Sequence, residues 1–200
     1  MAAKTIDFYF DFLSPFSYLA NTQLPKLAKR YGYAVAYHPI DIPQAKIAAG
    51  NYGPSNREIP AKIKVLLADL ERWAKKYNVP FAFPKILQVE PWNVGTLYAT
   101  ERGDVDQYVE RAYAVIWGQG VDPTDTAELR KVADSLGWDT DEFMTYVESA
   151  SARSAYRKGC VEAHRRGVFG APIMMIGDQA WWGNDRLMFL EDYLQEHPAG

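Results

Sequence analysis

Ser14-Pro15-Phe16-Ser17 lies where the apolar run Thr5–Phe12 gives way to helical patterning near Tyr18. A hydroxyl at a strand-to-helix junction sits among unpaired backbone N–H groups, at the end of a helix dipole that favours negative charge. As a nucleophile Ser14 lacks support: no Gly-x-Ser-x-Gly surrounds it, and His38, His164 and His197 show no sign of serving it as a base. Its hydroxyl can instead donate to a bound anion such as a thiolate, where each unit of pKa depression corresponds to about 1.4 kcal/mol. A third use is structural, because Ser followed by Pro is a good capping pair for a helix start.

The second informative stretch is Phe169-Gly170-Ala171-Pro172-Ile173. A proline opening a strand cannot donate to the ladder, so it marks an edge, a turn or a cis bond. The residue before it, Ala171, can offer its N–H and C=O to an extended peptide-like ligand. Polar residues gather in loops at Lys46, Asn56, Arg57 and Lys62, and again at Asn184 and Asp185. Asn-Asp before a helix is ordinarily a cap, but a zwitterionic ligand would set an acidic side chain against its ammonium and lysines against its carboxylates. Cys160 and His164 share a helix face without a third ligand, so no metal is expected. No phosphate-binding glycine loop is present.

The elements around these residues fall into three blocks. Residues 5–12 read as a strand buried on both faces, Tyr18–Arg30 as a helix stopped at Gly32, and Tyr33–Pro39 as a second strand parallel to the first. Residues 41–60 are a long loop with a helical turn at 43–49. Helices are expected over Ile59–Tyr77, with Ile63, Leu66, Leu67, Leu70 and Trp73 on its apolar face, and near 92–103, 105–118, 125–136, 140–148 and 150–166. Asp122 or Thr124, and Asp139 or Thr140, are the candidate caps. Ile173–Ile176 and Ala180–Trp182 form a hairpin, followed by a helix over Arg186–Gln195. The order β-α-β, helices, β-β-α is that of an α/β thioredoxin-like domain (1–42 and 168–200) with a large all-helical domain and its leading loop (43–167) inserted in the middle.

With 200 residues, 48% hydrophobic and 24% charged, the composition is that of a soluble globular protein. A net charge of −3 argues against nucleic acid, and Lys75-Lys76 and Arg165-Arg166 read as solvated helix faces. One cysteine excludes an intrachain disulfide and points to a reducing compartment. Met1-Ala2-Ala3-Lys4 leaves no room for a signal sequence, and no apolar run is long enough to span a bilayer, so a cytoplasmic location is expected.

The chain resembles the 2-hydroxychromene-2-carboxylate isomerases, relatives of the kappa-class glutathione transferases. The resemblance rests on Phe8–Ala20, Gly53-Pro54-Ser55-Asn56-Arg57, Val168–Pro172 and Trp181-Trp182-Gly183-Asn184-Asp185-Arg186, and it covers nearly the full length. It implies a homodimer using glutathione as cofactor. Ser14 would meet the glutathione sulfur, Ala171 and Pro172 the cysteinyl part, Trp182, Asn184 and Asp185 the γ-glutamyl end, and Asn56 and Lys62 the glycyl end. Lys46, Asn56 and Arg57 would face an aromatic α-keto acid substrate. The implied reaction interconverts 2-hydroxychromene-2-carboxylate and trans-o-hydroxybenzylidenepyruvate, a step in naphthalene breakdown. Leu87 stands where some isomerases carry a substrate-facing tyrosine. A kappa-like glutathione transferase and a redox-inactive peptide-binding module are the alternatives.

Overall fold

The computed structural model describes residues 4–199, so the reading of the first three residues lies outside it. A four-stranded sheet has the order β2-β1-β3-β4, formed by β1 (Thr5–Phe10), β2 (Ala34–Pro39), β3 (Ile173–Ile176) and β4 (Gln179–Trp182). β1 runs parallel to β2 and antiparallel to β3, with Tyr9 opposite Ile173. Alternation along β1 sends Ile6, Phe8 and Phe10 into one face, each fully buried. Tyr9 enters a smaller apolar cluster on the other face with Ile40, Ala163, Val168, Ile173 and Met175.

Between β1 and β2 the chain forms α1 (Pro15–Asn21) and α2 (Leu24–Arg30), where the periodicity suggested one helix beginning near Tyr18. The break has a local cause. Pro25 cannot supply the N–H a continuous helix needs, and the Thr22 hydroxyl donates to the Leu19 carbonyl at 2.7 Å to close α1. The long loop contains α3 (Ile42–Ala48) and a 3-10 turn (Asn56–Glu58). The helical block is α4 (Pro60–Tyr77), α5 (Glu90–Arg102), α6 (Val105–Tyr113), α7 (Thr126–Ser135), α8 (Thr140–Glu148) and α9 (Ala150–Arg165). A 3-10 turn (Asn184–Arg186) precedes α10 (Leu187–Glu196).

Three further local expectations are corrected. The helix over 105–118 leaves α geometry after Tyr113 and widens into a π turn over Ala114–Gly118, which seats the Trp117 indole on the Phe12 carbonyl at 2.7 Å. α7 is capped by Asp125, while Asp122 accepts the Thr124 N–H one turn earlier. Asp139 caps α8. On α4 the apolar face is covered only toward its C-terminal half: Leu70 is buried, but Leu67 and Val65 are exposed. One apolar core passes without a break from the sheet (Phe8, Phe10, Tyr37) through Phe12 to the helical block (Trp92, Tyr108, Tyr113, Phe143). Phe12 is the hinge of that continuity, its ring 4.7 Å from Tyr113 and edge-on to Tyr108.

Candidate active site

Ser14 caps α1. Its backbone is extended (φ −100°, ψ 113°), and its side-chain oxygen accepts the Ser17 N–H at 3.1 Å. Capping uses a lone pair only, so the hydroxyl hydrogen stays available for an outside acceptor. The residue is buried, which shields whatever it binds from competing water. α1 has only seven residues, so most of any anion stabilisation here must come from the hydroxyl and the first N–H groups rather than a long dipole.

The turn before Ser14 is held from outside itself. Asp11, just past β1, is 2% exposed, and its carboxylate accepts from the Leu13 and Ile42 N–H groups at 3.0 Å each and from Asn93 Nδ2 at 2.8 Å. Asn93 Oδ1 accepts the Phe12 N–H at 3.2 Å, and the Tyr113 hydroxyl donates to the Asp11 carbonyl at 3.0 Å. Asn93 Nδ2 also lies 3.2 Å from the Tyr156 hydroxyl. Burial pushes the Asp11 carboxyl up to about 6, outweighing these hydrogen bonds; the charge of Asp41 acts in the same direction as burial.

On the same end of the sheet stands the start of β3. The antiparallel register sets Ile173 beside Tyr9, so Pro172 enters the sheet where β1 leaves it for the Ser14 turn. The Ala171–Pro172 peptide bond is cis, and the Pro172 carbonyl accepts the Gly183 N–H at 2.9 Å. Gly183 has φ +100°, and a Cβ there would lie 2.6 Å from Asp185 Oδ1, so only glycine fits between Trp182 and Asn184. Trp182 is 59% exposed and meets Phe169 edge-on at 4.9 Å. Asn184 is buried, yet neither its carboxamide oxygen nor its nitrogen is paired among the described residues; the Tyr77 hydroxyl is near but out of bonding geometry. Asp185 pairs with Arg186. Both Asn184 and Asp185 line a cleft of about 320 Å³ between α2, the end of α4 and α10.

The loop residues form a separate group. The Lys46 ammonium donates to the Gly53 carbonyl, and Lys62 Nζ donates to Asn56 Oδ1 at 3.3 Å. Glu58 reaches back to the Ser55 N–H at 2.6 Å, and that contact with Ser55 holds its carboxyl below the usual range, helped by the charges of Lys46 and Arg57. Asn56, Arg57 and Lys62 are exposed. Lys62 and Tyr77 stand roughly 22 Å apart along α4 at the α-helical rise, so the Asn56/Lys62 pair and the Asn184/Asp185 pair mark opposite ends of that helix. α1 packs against both α4 and the 184–186 turn.

An aromatic wall completes the surroundings. Phe81 lies parallel to Trp117 at 6.1 Å, and the exposed Phe83 meets it edge-on at 5.5 Å. Cys160 is buried, its thiol pushed up to about 11 by that burial, and His164 Nδ1 faces the Val168 carbonyl. Sequence reasoning gave Asp11, Asn93, Tyr113 and Trp117 no role. The available signals were an acid inside an aromatic run and an amide inside an apolar helix, both polar groups that burial obliges to find partners.

Residues 5–195 match the family described as DSBA-like thioredoxin domain. The chain is 56% identical over 191 residues to a 2-hydroxychromene-2-carboxylate isomerase of Sphingobium xenophagum, covering 96% of this chain and 98% of that protein. It is 43% identical over 194 residues to the enzyme of the same name from Pseudomonas sp. (strain C18), covering 97% and 92%. A solved 2-hydroxychromene-2-carboxylate isomerase superimposes with a TM-score of 0.92 at 42% identity, covering 96% of this chain and 95% of the other.

Proposed function

Because the chain belongs to the DSBA-like thioredoxin domains and, among them, to the 2-hydroxychromene-2-carboxylate isomerases, we propose how its residues carry out that family's reaction. The protein is a glutathione-dependent isomerase that interconverts 2-hydroxychromene-2-carboxylate and trans-o-hydroxybenzylidenepyruvate. Glutathione, once held by the residues named below, would supply a thiolate nucleophile for reversible addition to a conjugated double bond and would be returned unchanged.

The residues present fit that cofactor. The observation that carries the reading is a buried serine hydroxyl with its hydrogen free, at the head of a helix, on the same sheet end as a peptide-offering Ala171-Pro172 step. The unpaired Asn184 carboxamide is a second, since buried amides are rarely left without partners. Ser14 donates to the sulfur. Ala171 and Pro172 present backbone to the cysteinyl part, and Trp182, Asn184 and Asp185 take the γ-glutamyl end. Asp185 leaves Arg186 to meet the ammonium. Asn56 and Lys62 take the glycyl carboxylate, which requires the tripeptide to lie along α4 with the long Lys62 side chain reaching inward. Lys46, Asn56 and Arg57 receive the substrate carboxylate, and the exposed Phe83, backed by the buried Trp117, offers a face to the aromatic ring. Two copies of the chain associate as a homodimer.

A free thiol near pKa 8.5 needs about 2 kcal/mol of anion stabilisation to be half ionised at neutral pH. One charge-assisted hydrogen bond contributes roughly 1.5–3 kcal/mol, so Ser14 alone nearly suffices. Ser14→Ala should therefore raise the bound-thiol pKa by about one to two units and lower turnover roughly tenfold or more, with the fold kept at a loss of about 1 kcal/mol from the missing cap. Glutathione measured before and after complete substrate conversion should be undiminished. Depletion would identify a transferase instead, and unchanged turnover in the variant would remove Ser14 from the chemistry.

A further inference from the structure

Between Asp11 and Ser14 the backbone is secured largely by side chains of the helical block. Asn93 Oδ1 holds the Phe12 N–H, Trp117 Nε1 the Phe12 carbonyl at 2.7 Å and Tyr113 the Asp11 carbonyl, while the Leu13 N–H bonds to Asp11 Oδ1. Among the described residues, one side-chain pair links two of these holders directly. Asn93 Nδ2 binds Asp11 Oδ1, and the other Asp11 oxygen binds the Ile42 N–H, the first residue of the helix that carries Lys46. We propose that Asp11 and Asn93 form a clasp that positions the Ser14 hydroxyl, so that the helical insertion sets the acidity of the bound thiol without touching it.

The inference rests on Ser14 meeting the thiol. Its physical ground is that a buried carboxylate with a carboxamide partner is a poor device for stability alone, since well-packed apolar side chains of similar volume often do as well or better. What the pair does supply is directional fixation. Besides the bond between them, Asp11 and Asn93 fix three backbone N–H groups, those of Phe12 and Leu13 on the segment leading to Ser14 and that of Ile42 at the α3 start. A hydrogen bond weakens steeply once its donor angle opens, so a small displacement of the turn withdraws the Ser14 hydroxyl from its acceptor. The charged and titratable groups facing the clasp are Asp41, Tyr113, Tyr156 and, behind Tyr156, Cys160.

The test compares wild type, Ser14→Ala and Asn93→Ala. Bound glutathione is titrated by its ultraviolet thiolate absorbance, and amide exchange at residues 12–17 is followed in the free protein. Asn93→Ala should raise the bound-thiol pKa by roughly half a unit or more, in the direction of Ser14→Ala, and quicken exchange at Phe12. Its kcat should fall several-fold while KM for the substrate stays within about twofold. A bound-thiol pKa matching wild type in folded Asn93→Ala, while Ser14→Ala moves it, overturns the clasp and leaves the Ser14 reading standing. If Ser14→Ala itself leaves the thiol unmoved, the Ser14 reading fails first. Should Asn93→Ala not fold, Tyr156→Phe removes only the outer hydroxyl from Asn93. It should then give a smaller shift in the same direction, and no shift counts against the clasp.

Discussion

The turn that carries Ser14 and the loop that carries Lys46, Asn56 and Arg57 are built in opposite ways. In the turn that leads to Ser14 the polar groups of Asp11 and Phe12 are buried and partnered, through Asn93, Tyr113 and Trp117. In the loop, the bonds run between neighbours in sequence, Lys46 to Gly53, Ser55 to Glu58 and Lys62 to Asn56, and most of these groups face solvent. Exposed Tyr52 and Ile47 lie in the same region. The contrast is one of preorganisation. A site that must hold a thiolate needs fixed dipoles, because their reorganisation would cost the stabilisation they give. The cations proposed for the substrate carboxylate are instead left on flexible stems.

That contrast can be broken most decisively through pH. Burial holds the folded Asp11 carboxyl near 6, against 3.8 for an ordinary aspartate. Between those values the folded chain keeps a proton that the unfolded chain has released. The contribution of Asp11 to stability is therefore greatest below about pH 4 and declines by about 3 kcal/mol as pH rises through 6. Denaturant titrations across that window should show the decline in wild type and its loss in Asp11→Asn; parallel curves would mean that the carboxylate is not buried as described. Gly183→Ala comes next. Its positive φ and the crowding against Asp185 should cost roughly 1–2 kcal/mol, visible as a lower Tm, together with weaker glutathione binding by calorimetry. The smallest effect on the fold belongs to the loop. Lys46→Ala and Arg57→Ala should each leave Tm within about 2 °C of wild type while raising KM for the substrate about tenfold. A destabilised Lys46→Ala protein would erase the distinction between the two regions.

Several parts of this architecture were legible before any coordinates. Ser14-Pro15 was readable as a capping pair, and α1 begins at that proline, three residues before the start that periodicity placed near Tyr18. The apolar run Ile173–Ile176 and the turn at Gly177 set the final hairpin, with β3 matching its predicted span. Asp139 was a readable cap for α8. The failures have equally local causes. Periodicity carried one helix through Pro25 because apolar spacing continues across a break that backbone chemistry forbids. On α4 it marked Leu67 as core, although only the C-terminal half of that helix is covered and Leu67 is exposed. No candidate metal cluster and no helix long and apolar enough to cross a membrane occur among the described residues.

By itself the sequence determined the order of elements, the serine at the first helix start, and the turn that joins the last two strands. These are short-range matters of steric allowance, capping and hydrophobic period, decided within a few residues. Only the tertiary structure decided that Asp11 finds Asn93, 82 positions away, and that Trp117 reaches the Phe12 carbonyl from 105 positions away. A buried polar group requires a partner but does not name one; packing of the helical block against the sheet makes that choice.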